Sequence, residues 1–230
     1  MIGLFRRLLR MVLLASCFLL LLWAAGLVLY RWVDPPATPL MAIRAVQGES
    51  IRYRPVALGR VARPLRQAVV ASEDARFCLH AGIDLGAVRD ALEDYQESGR
   101  LRGASTISMQ VARNLFLWNG GGFVRKALEA PLALALDTLW PKRRILEIYL
   151  NIAEWGPGIF GAEAAAQAHF GRSAADLTQV QAVRLAAVLP NPIRWSAARP
   201  TAYIEARAST IAGRSGQLAP EQTGCFLTVR

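Results

Sequence analysis

Two carboxylates, Glu73 and Glu129, stand in separate polar clusters, Glu73-Asp74-x-x-Phe77-x-x-His80-x-Gly82 and Arg125-Lys126-x-x-Glu129. Between them, Gly103-Ala104-Ser105-Thr106-Ile107-Ser108-Met109-Gln110 reads as a glycine- and hydroxyl-rich turn running into a helix that bears Arg113 and Asn114. A sugar hydroxyl is a poor nucleophile until a base removes its proton, and a carboxylate shielded from water can do so because its pKa is raised. Cations placed where negative charge accumulates stabilise a departing phosphate group. Carboxylates with arginine, lysine and amide partners therefore suit glycosyl chemistry on an anionic, membrane-borne substrate.

Each of these residues also has a plainer reading. Arg125 and Glu129, four apart, would form a helix-surface ion pair worth about 0.2–0.5 kcal/mol. His80 alone reads as a buried, hydrogen-bonded histidine, Phe77 as a core aromatic, and Asp74 as a cap or network residue. Ser105 and Thr106 suit helix N-caps as well as ligand contacts. There is no CxxC pair and no HExxH, and His80 and His169 are the only histidines, so a structural metal is not expected.

The elements that must position these groups read as helices. Pro64 suits a first helical position, and Leu65, Ala68, Val69 and Ser72 share one face of a helix that ends near Glu73. Asp84 is expected to cap a second helix with Leu85, Val88, Leu92 and Tyr95 inward, stopped by Gly99. Ser105 is expected to cap a third, with Ile107, Val111 and Leu115 inward and Gln110, Arg113 and Asn114 along one wall of a cleft. A fourth, from residue 123 to 139, is expected to bury Val124, Leu128, Leu132, Ala135 and Leu139 and to kink or break at Pro131. Another follows Pro141, and Thr178 with Gln181 forms a capping box for one more. Alternating strand patterns are nearly absent, so the fold class expected is all-α, or mostly so.

Residues 11 to 30 contain no charge and as a helix would span roughly 30 Å, the hydrocarbon thickness. An uncleaved anchor fits this length better than a signal peptide, whose apolar region runs about 7–15 residues. Arg6, Arg7 and Arg10 favour a cytoplasmic N-terminus, although Arg31 and Arg44 oppose them. The formal charge is +10, which implies an anionic surface or ligand. A domain outside the cytoplasm has little access to nucleic acid, so no nucleic-acid partner is expected. Cys78 and Cys225 are the only pair that could bridge outside the bilayer, and the sequence alone does not decide whether they do.

Four ordered motifs together resemble the peptidoglycan glycosyltransferases. They are the Glu73 cluster, the Gly103 to Gln110 segment, the Arg125 to Glu129 cluster, and Lys142-x-x-Ile145-Leu146-Glu147-x-Tyr149-Leu150-Asn151. The likeness runs over about residues 61 to 200. It implies a lysozyme-like, two-lobed helical domain, the smaller lobe touching the membrane, preceded by one transmembrane helix. It also implies joining the 4-hydroxyl of an acceptor lipid II to the anomeric carbon of a growing, undecaprenyl-pyrophosphate-linked glycan, with inversion to a β-1,4 bond.

By this resemblance Glu73 is the general base and Glu129 the second essential carboxylate. Ser105, Thr106, Gln110, Arg113, Asn114, Arg125 and Lys126 bind substrate, and Lys142, Glu147 and Asn151 support the cleft. A divalent cation, Mg²⁺ or Mn²⁺, is expected. The partners implied are lipid II, the growing lipid-linked glycan, the membrane, and other cell-wall synthases or division proteins. The chain departs from the family pattern at Met109, where many members place glutamine, and at Gly121, where many place a basic residue.

The organisation expected is a cytoplasmic stretch (1–10), a transmembrane helix (11–30), a linker (31–60), a periplasmic catalytic domain (61–200) and a C-terminal helix and tail (201–230) at the inner membrane. Two other functions share parts of this pattern: a lytic transglycosylase or lysozyme-like hydrolase, and an inactive membrane-anchored scaffold.

Overall fold

The computed structural model describes residues 2–99, 103–118, 120 and 122–227. They divide into two compact units, residues 1–35 and 36–230. The first is dominated by α1 (Ile2–Leu29), whose stretch Leu4–Leu29 is long and apolar enough to cross a membrane. The helix thus begins well before residue 11.

The second unit is mostly helical, as expected. In chain order it contains α2 (Pro39–Val46), β1 (Arg52–Tyr53), α3 (Arg63–Glu73), α4 (Leu85–Ser98), α5 (Ile107–Phe116), α6 (Gly122–Leu139) and α7 (Lys142–Ile152). Then come β2 (Glu154–Gly156), β3 (Ile159–Phe160), α8 (Ala162–Phe170), α9 (Gln179–Val188), α10 (Ala202–Gly216) and α11 (Pro220–Leu227). The strands form one small sheet in the order β1-β3-β2, parallel between β1 and β3 and antiparallel between β3 and β2.

Residues 31 to 60, expected as a linker, carry α2, β1 and a 3-10 turn at Leu58–Arg60. Thr38 accepts from the Met41 amide, and Pro39 occupies the first turn, where its missing N–H costs nothing. Met41 is buried and α2 packs on α5. A two-pronged ion pair from Arg44 to Glu154 (2.9 Å) ties α2 to β2. Pro35, Pro36, Pro39 and Pro55 suggest a linker, but Thr38-Pro39 is also a helix-start signal.

Three helices hold the body together. Leu65, Ala68, Val69, Val70 and Ala71 of α3 are buried, and α3 packs against α9 and α10. The capping box of Thr178 and Gln181 opens α9 as expected. Against α5 pack α6 and α7, with Ile107, Val111 and Leu115 inward.

Two expected apolar stripes are displaced. On α4, Leu85, Val88, Leu92 and Tyr95 are exposed and Ala91 alone is buried, although Asp84 caps the helix and Gly99 ends it as expected. On α6 the buried stripe is Glu129, Leu132, Ala133, Leu136 and, just beyond the helix, Trp140, while Val124 and Leu139 are exposed. Because α6 is apolar nearly all round, periodicity alone fits several phases, and the packed one includes a carboxylate. Nor does Pro131 break α6. Pro131 is exposed, so the carbonyl it deprives of a partner can face water.

Candidate active site

Glu73 is the last residue of α3, and the chain leaves helical geometry at Asp74 (φ −164°, ψ 73°). The two adjacent carboxylates consequently serve different places. Asp74 is buried, accepts from the Ile107 amide at the start of α5 (2.9 Å), and pairs with His80 Nε2 (2.9 Å). His80 and Phe77 take the structural places read from sequence, Phe77 fully buried.

Glu73 is half-buried in a cleft of ≈ 630 Å³ whose lining includes Ser105, Thr106, Gln110, Asp84, Arg207 and Arg214. Burial pushes its carboxyl above the usual range. Opposing this are a hydrogen bond from Gln110 and the nearby Arg207 and Arg113 guanidiniums, whereas Asp74 adds to the rise. Gln110 Nε2 donates to Glu73 Oε2 (3.1 Å), and Tyr149 donates to Gln110 Oε1 (3.3 Å). Burial raises the Tyr149 phenol well above its ordinary value, so it keeps its proton and has an O–H to donate. An ionised Glu73 carboxylate can only accept, so the Gln110 amide turns its NH₂ to Glu73 and its Oε1 to Tyr149.

Arg113 and Asn114 follow on α5, with Asn114 buried and accepting from Arg113 Nε (3.4 Å). Burial lowers the Arg113 pKa, and Tyr149 and Glu73 draw it back up. Burial also lowers that of Arg125, with repulsion from Arg113 adding to it. Arg125 forms an ion pair with Glu129, whose carboxylate is nearly fully buried, and donates from Nε to the Gly120 carbonyl. Glu73, Arg113, Arg125 and Glu129 thereby make one run of interacting charges linking α3, α5 and α6. The ion pair is not the solvent-exposed one that i,i+4 spacing alone suggests.

Not every expected residue lines the cleft. Arg113, Asn114, Arg125, Lys126 and Glu129 are absent from its lining among the described residues, and Lys126 is exposed. Thr106, not Ser105, caps α5: its hydroxyl accepts from the Met109 amide (3.1 Å) and donates to the Gly82 carbonyl (2.6 Å). Buried and committed to two backbone groups, that hydroxyl is not available to a substrate, whereas Ser105 is partly open to the cleft. Gly82 itself lies at φ +84°, where a Cβ would meet the Ala133 carbonyl oxygen at 2.5 Å. Glycine is required there. The departure at Met109 is buried core, and Gly121 lies outside the described residues.

The fourth motif holds the frame. Lys142 Nζ donates to Asp137 (2.7 Å) above the Phe77 ring (4.6 Å), and Asp137 also accepts from Ser108 (2.8 Å). Glu147 accepts from the Leu58 amide (2.6 Å), and Asn151 clasps the Val56 amide and carbonyl (3.0 and 2.9 Å). Sequence reasoning missed Arg207 and Arg214 of α10. Their spacing of seven, two turns on one face, was the available signal. Cys78 and Cys225 are bridged, and Gln222 donates to the Ala75 carbonyl (2.9 Å), so α11 is stapled to the segment that follows Glu73.

A family model described as Transglycosylase matches residues 41–215. The chain is 56% identical over 209 residues to the biosynthetic peptidoglycan transglycosylase of Rhodospirillum centenum, covering 90% of each chain. It is 46% identical over 215 residues to that of Caulobacter vibrioides, covering 92% of this chain and 93% of the relative. With that of Pseudomonas aeruginosa the identity is 48% over 226 residues and 94% of each chain.

Proposed function

The chain belongs to the transglycosylase family, and on that premise we propose that its cleft polymerises lipid II into linear β-1,4 glycan strands with release of undecaprenyl pyrophosphate. The observation that carries this reading is Glu73: a carboxylate with a raised pKa at the cleft wall, joined through Arg113 and Arg125 to a second, buried carboxylate. Glu73 takes the proton from the acceptor's 4-hydroxyl as its oxygen attacks the donor's anomeric carbon. The bond to the pyrophosphate oxygen breaks, and Arg113 and Arg125 face the charge that appears there. Glu129 holds Arg125 in place, and Ser105 and the exposed Lys126 contact the donor.

Among the described residues no group of three or more His, Cys, Asp or Glu could hold a metal ion, and Glu129 is already paired with Arg125. A resident divalent cation does not fit this donor set. Mg²⁺ or Mn²⁺ carried on the substrate's own pyrophosphate does.

The location proposed is the inner membrane, with α1 as a single anchor, its N-terminus cytoplasmic and the domain periplasmic. Supporting it are the apolar stretch Leu4–Leu29, the arginines before it, and the Cys78–Cys225 bridge, which needs an oxidising compartment to persist. The open apolar face of α4 suits a lipid surface. Other cell-wall synthases and division proteins are proposed partners on the resemblance alone.

Incubating the full-length protein with labelled lipid II and Mg²⁺ in detergent, and resolving the products by gel, tests the reading. A muramidase-sensitive ladder is expected. Clipping of preformed glycan without polymer would replace it with the hydrolase, and neither activity would replace it with the scaffold.

A further inference from the structure

The cleft's walls carry opposite charge. On the α4 side stand Asp84 and Asp90 with a single counter-cation, Arg76, at 2.8 and 3.3 Å. On the α10 side stand Arg207 and Arg214, and among the described residues neither is ion-paired with a carboxylate. Arg207 Nε donates to the Ala187 carbonyl (3.2 Å), which anchors a side chain that lines both the cleft and the groove below, and Arg214 is exposed. From that wall a second groove of ≈ 320 Å³ opens between the end of α3 and α10. It shares Ser72, Arg207 and Arg214 with the cleft and continues over Tyr203, Thr210 and Ile211. Its volume is at the low end for small-ligand pockets, about 300–1,000 Å³.

A peptidoglycan precursor is not a bare sugar. Its muramyl ring carries a short peptide with free carboxylates, and once a sugar hydroxyl sits at Glu73 that substituent must leave the cleft on one side. The wall with a surplus of aspartate repels it, and the wall with two arginines attracts it. Tyr203, exposed at the groove, adds an aromatic surface that a pyrophosphate has no use for and a peptide does.

We propose that the groove between α3 and α10 is a subsite for the carboxylate-bearing peptide of the substrate, with Arg214 and Arg207 as its anion contacts. The proposal rests on the polymerase reading above. Arginine's planar fork meets a carboxylate with two parallel hydrogen bonds, so the site discriminates by charge as well as by shape.

The test compares two lipid-linked substrates that differ only in whether the peptide carboxylates are free or amidated. It uses the full-length protein and its Arg214→Ala and Arg214→Lys variants. The parent is expected to favour the free-carboxylate substrate in kcat/KM, mainly through KM. Arg214→Ala should reduce that preference roughly tenfold, the size expected for one charged hydrogen bond, and Arg214→Lys should restore part of it. Because the Arg214 side chain is exposed and has no ion-pair partner among the described residues, a matching Tm for parent and variants is expected. Equal slowing of both substrates by Arg214→Ala would overturn the proposal, since the residue would then serve a group common to both, such as the pyrophosphate. A parent that polymerises both substrates equally well would also overturn it. If the parent polymerised neither, the polymerase reading itself would fall and take the subsite with it.

Discussion

Gln110 donates its side-chain amide to Glu73 at 3.1 Å, and its Oε1 accepts from the Tyr149 hydroxyl behind it. Glu73 is therefore held by a relay from the core of α7 through α5 to the end of α3. Burial favours the neutral acid and the amide favours the carboxylate, so the two effects tune Glu73 in opposite directions.

Glu73→Gln is nearly isosteric and should keep the fold while lowering polymerisation by at least the 10²–10⁴-fold typical of a lost general base. Gel analysis of lipid II products with a parallel circular-dichroism melt checks both halves. A folded variant that still polymerises at the parental rate removes Glu73 from the base role.

The same substitution should change stability with pH. Because the folded-state pKa of Glu73 lies above its unfolded value, its stabilising contribution is full below the unfolded pKa and is lost as pH rises through the folded one. The Gln variant has no such loss. Its Tm, relative to the parent's, should rise from acid to neutral pH and level off above the folded pKa. A Tm difference that stays flat, or falls, over that range would contradict the burial of this carboxyl.

Gln110→Leu removes the hydrogen bond that pulls the Glu73 pKa down. The acid limb of the kcat/KM profile, already expected above the ordinary carboxylate range, should move to still higher pH. Profiles of parent and variant on lipid II measure it, and coincident limbs would show that the amide does not tune the base.

Much of this site was legible because its signals are local. The Pro64 start, the Asp84 and Thr178 caps, the helix after Pro141 and the delivery of Glu73 at a helix end depend on neighbours within one or two turns. What sequence could not settle depends on what lies opposite. The α6 stripe containing Glu129 is chosen by α5 and α7, the apolar face of α4 is left exposed among the described residues, and Thr106 takes the cap because the Gly82 carbonyl accepts its hydrogen bond. Arg207 and Arg214 sit far down the chain and reach the cleft only because α10 packs on α3.

Arg125→Ala should destabilise the domain more than Glu129→Gln. The first leaves a carboxylate buried without its cation, which costs about 3–5 kcal/mol for a fully buried pair, and somewhat less here because the Arg125 side chain is 17% exposed. The second leaves a neutral amide. Urea melts of the two variants give the order, and the reverse order would mean that Glu129 has another partner.

Cys78→Ser should lower stability by about 2–5 kcal/mol, since the bridge closes a loop of 147 residues in the unfolded chain. Thermal melts of parent and variant, with thiol titration of the parent under denaturing conditions, check it. Two reactive thiols beyond Cys17 in unreduced parent would show that the bridge does not form.

Helix α3 also sets a register. Its buried face is locked against α9 and α10 over its length, and Glu73, the proposed base, sits at its very end, one residue before the chain turns away. Each residue of an α-helix advances about 1.5 Å and turns by about 100°. Inserting a single alanine between Pro64 and Glu73 would therefore bring Ser72 to the position of the base and push Glu73 on to that of Asp74. Every side chain named in the cleft would still be present, yet the proton acceptor would point at the wrong neighbour. In this protein the count of residues in one helix is as much a part of the active site as their identity.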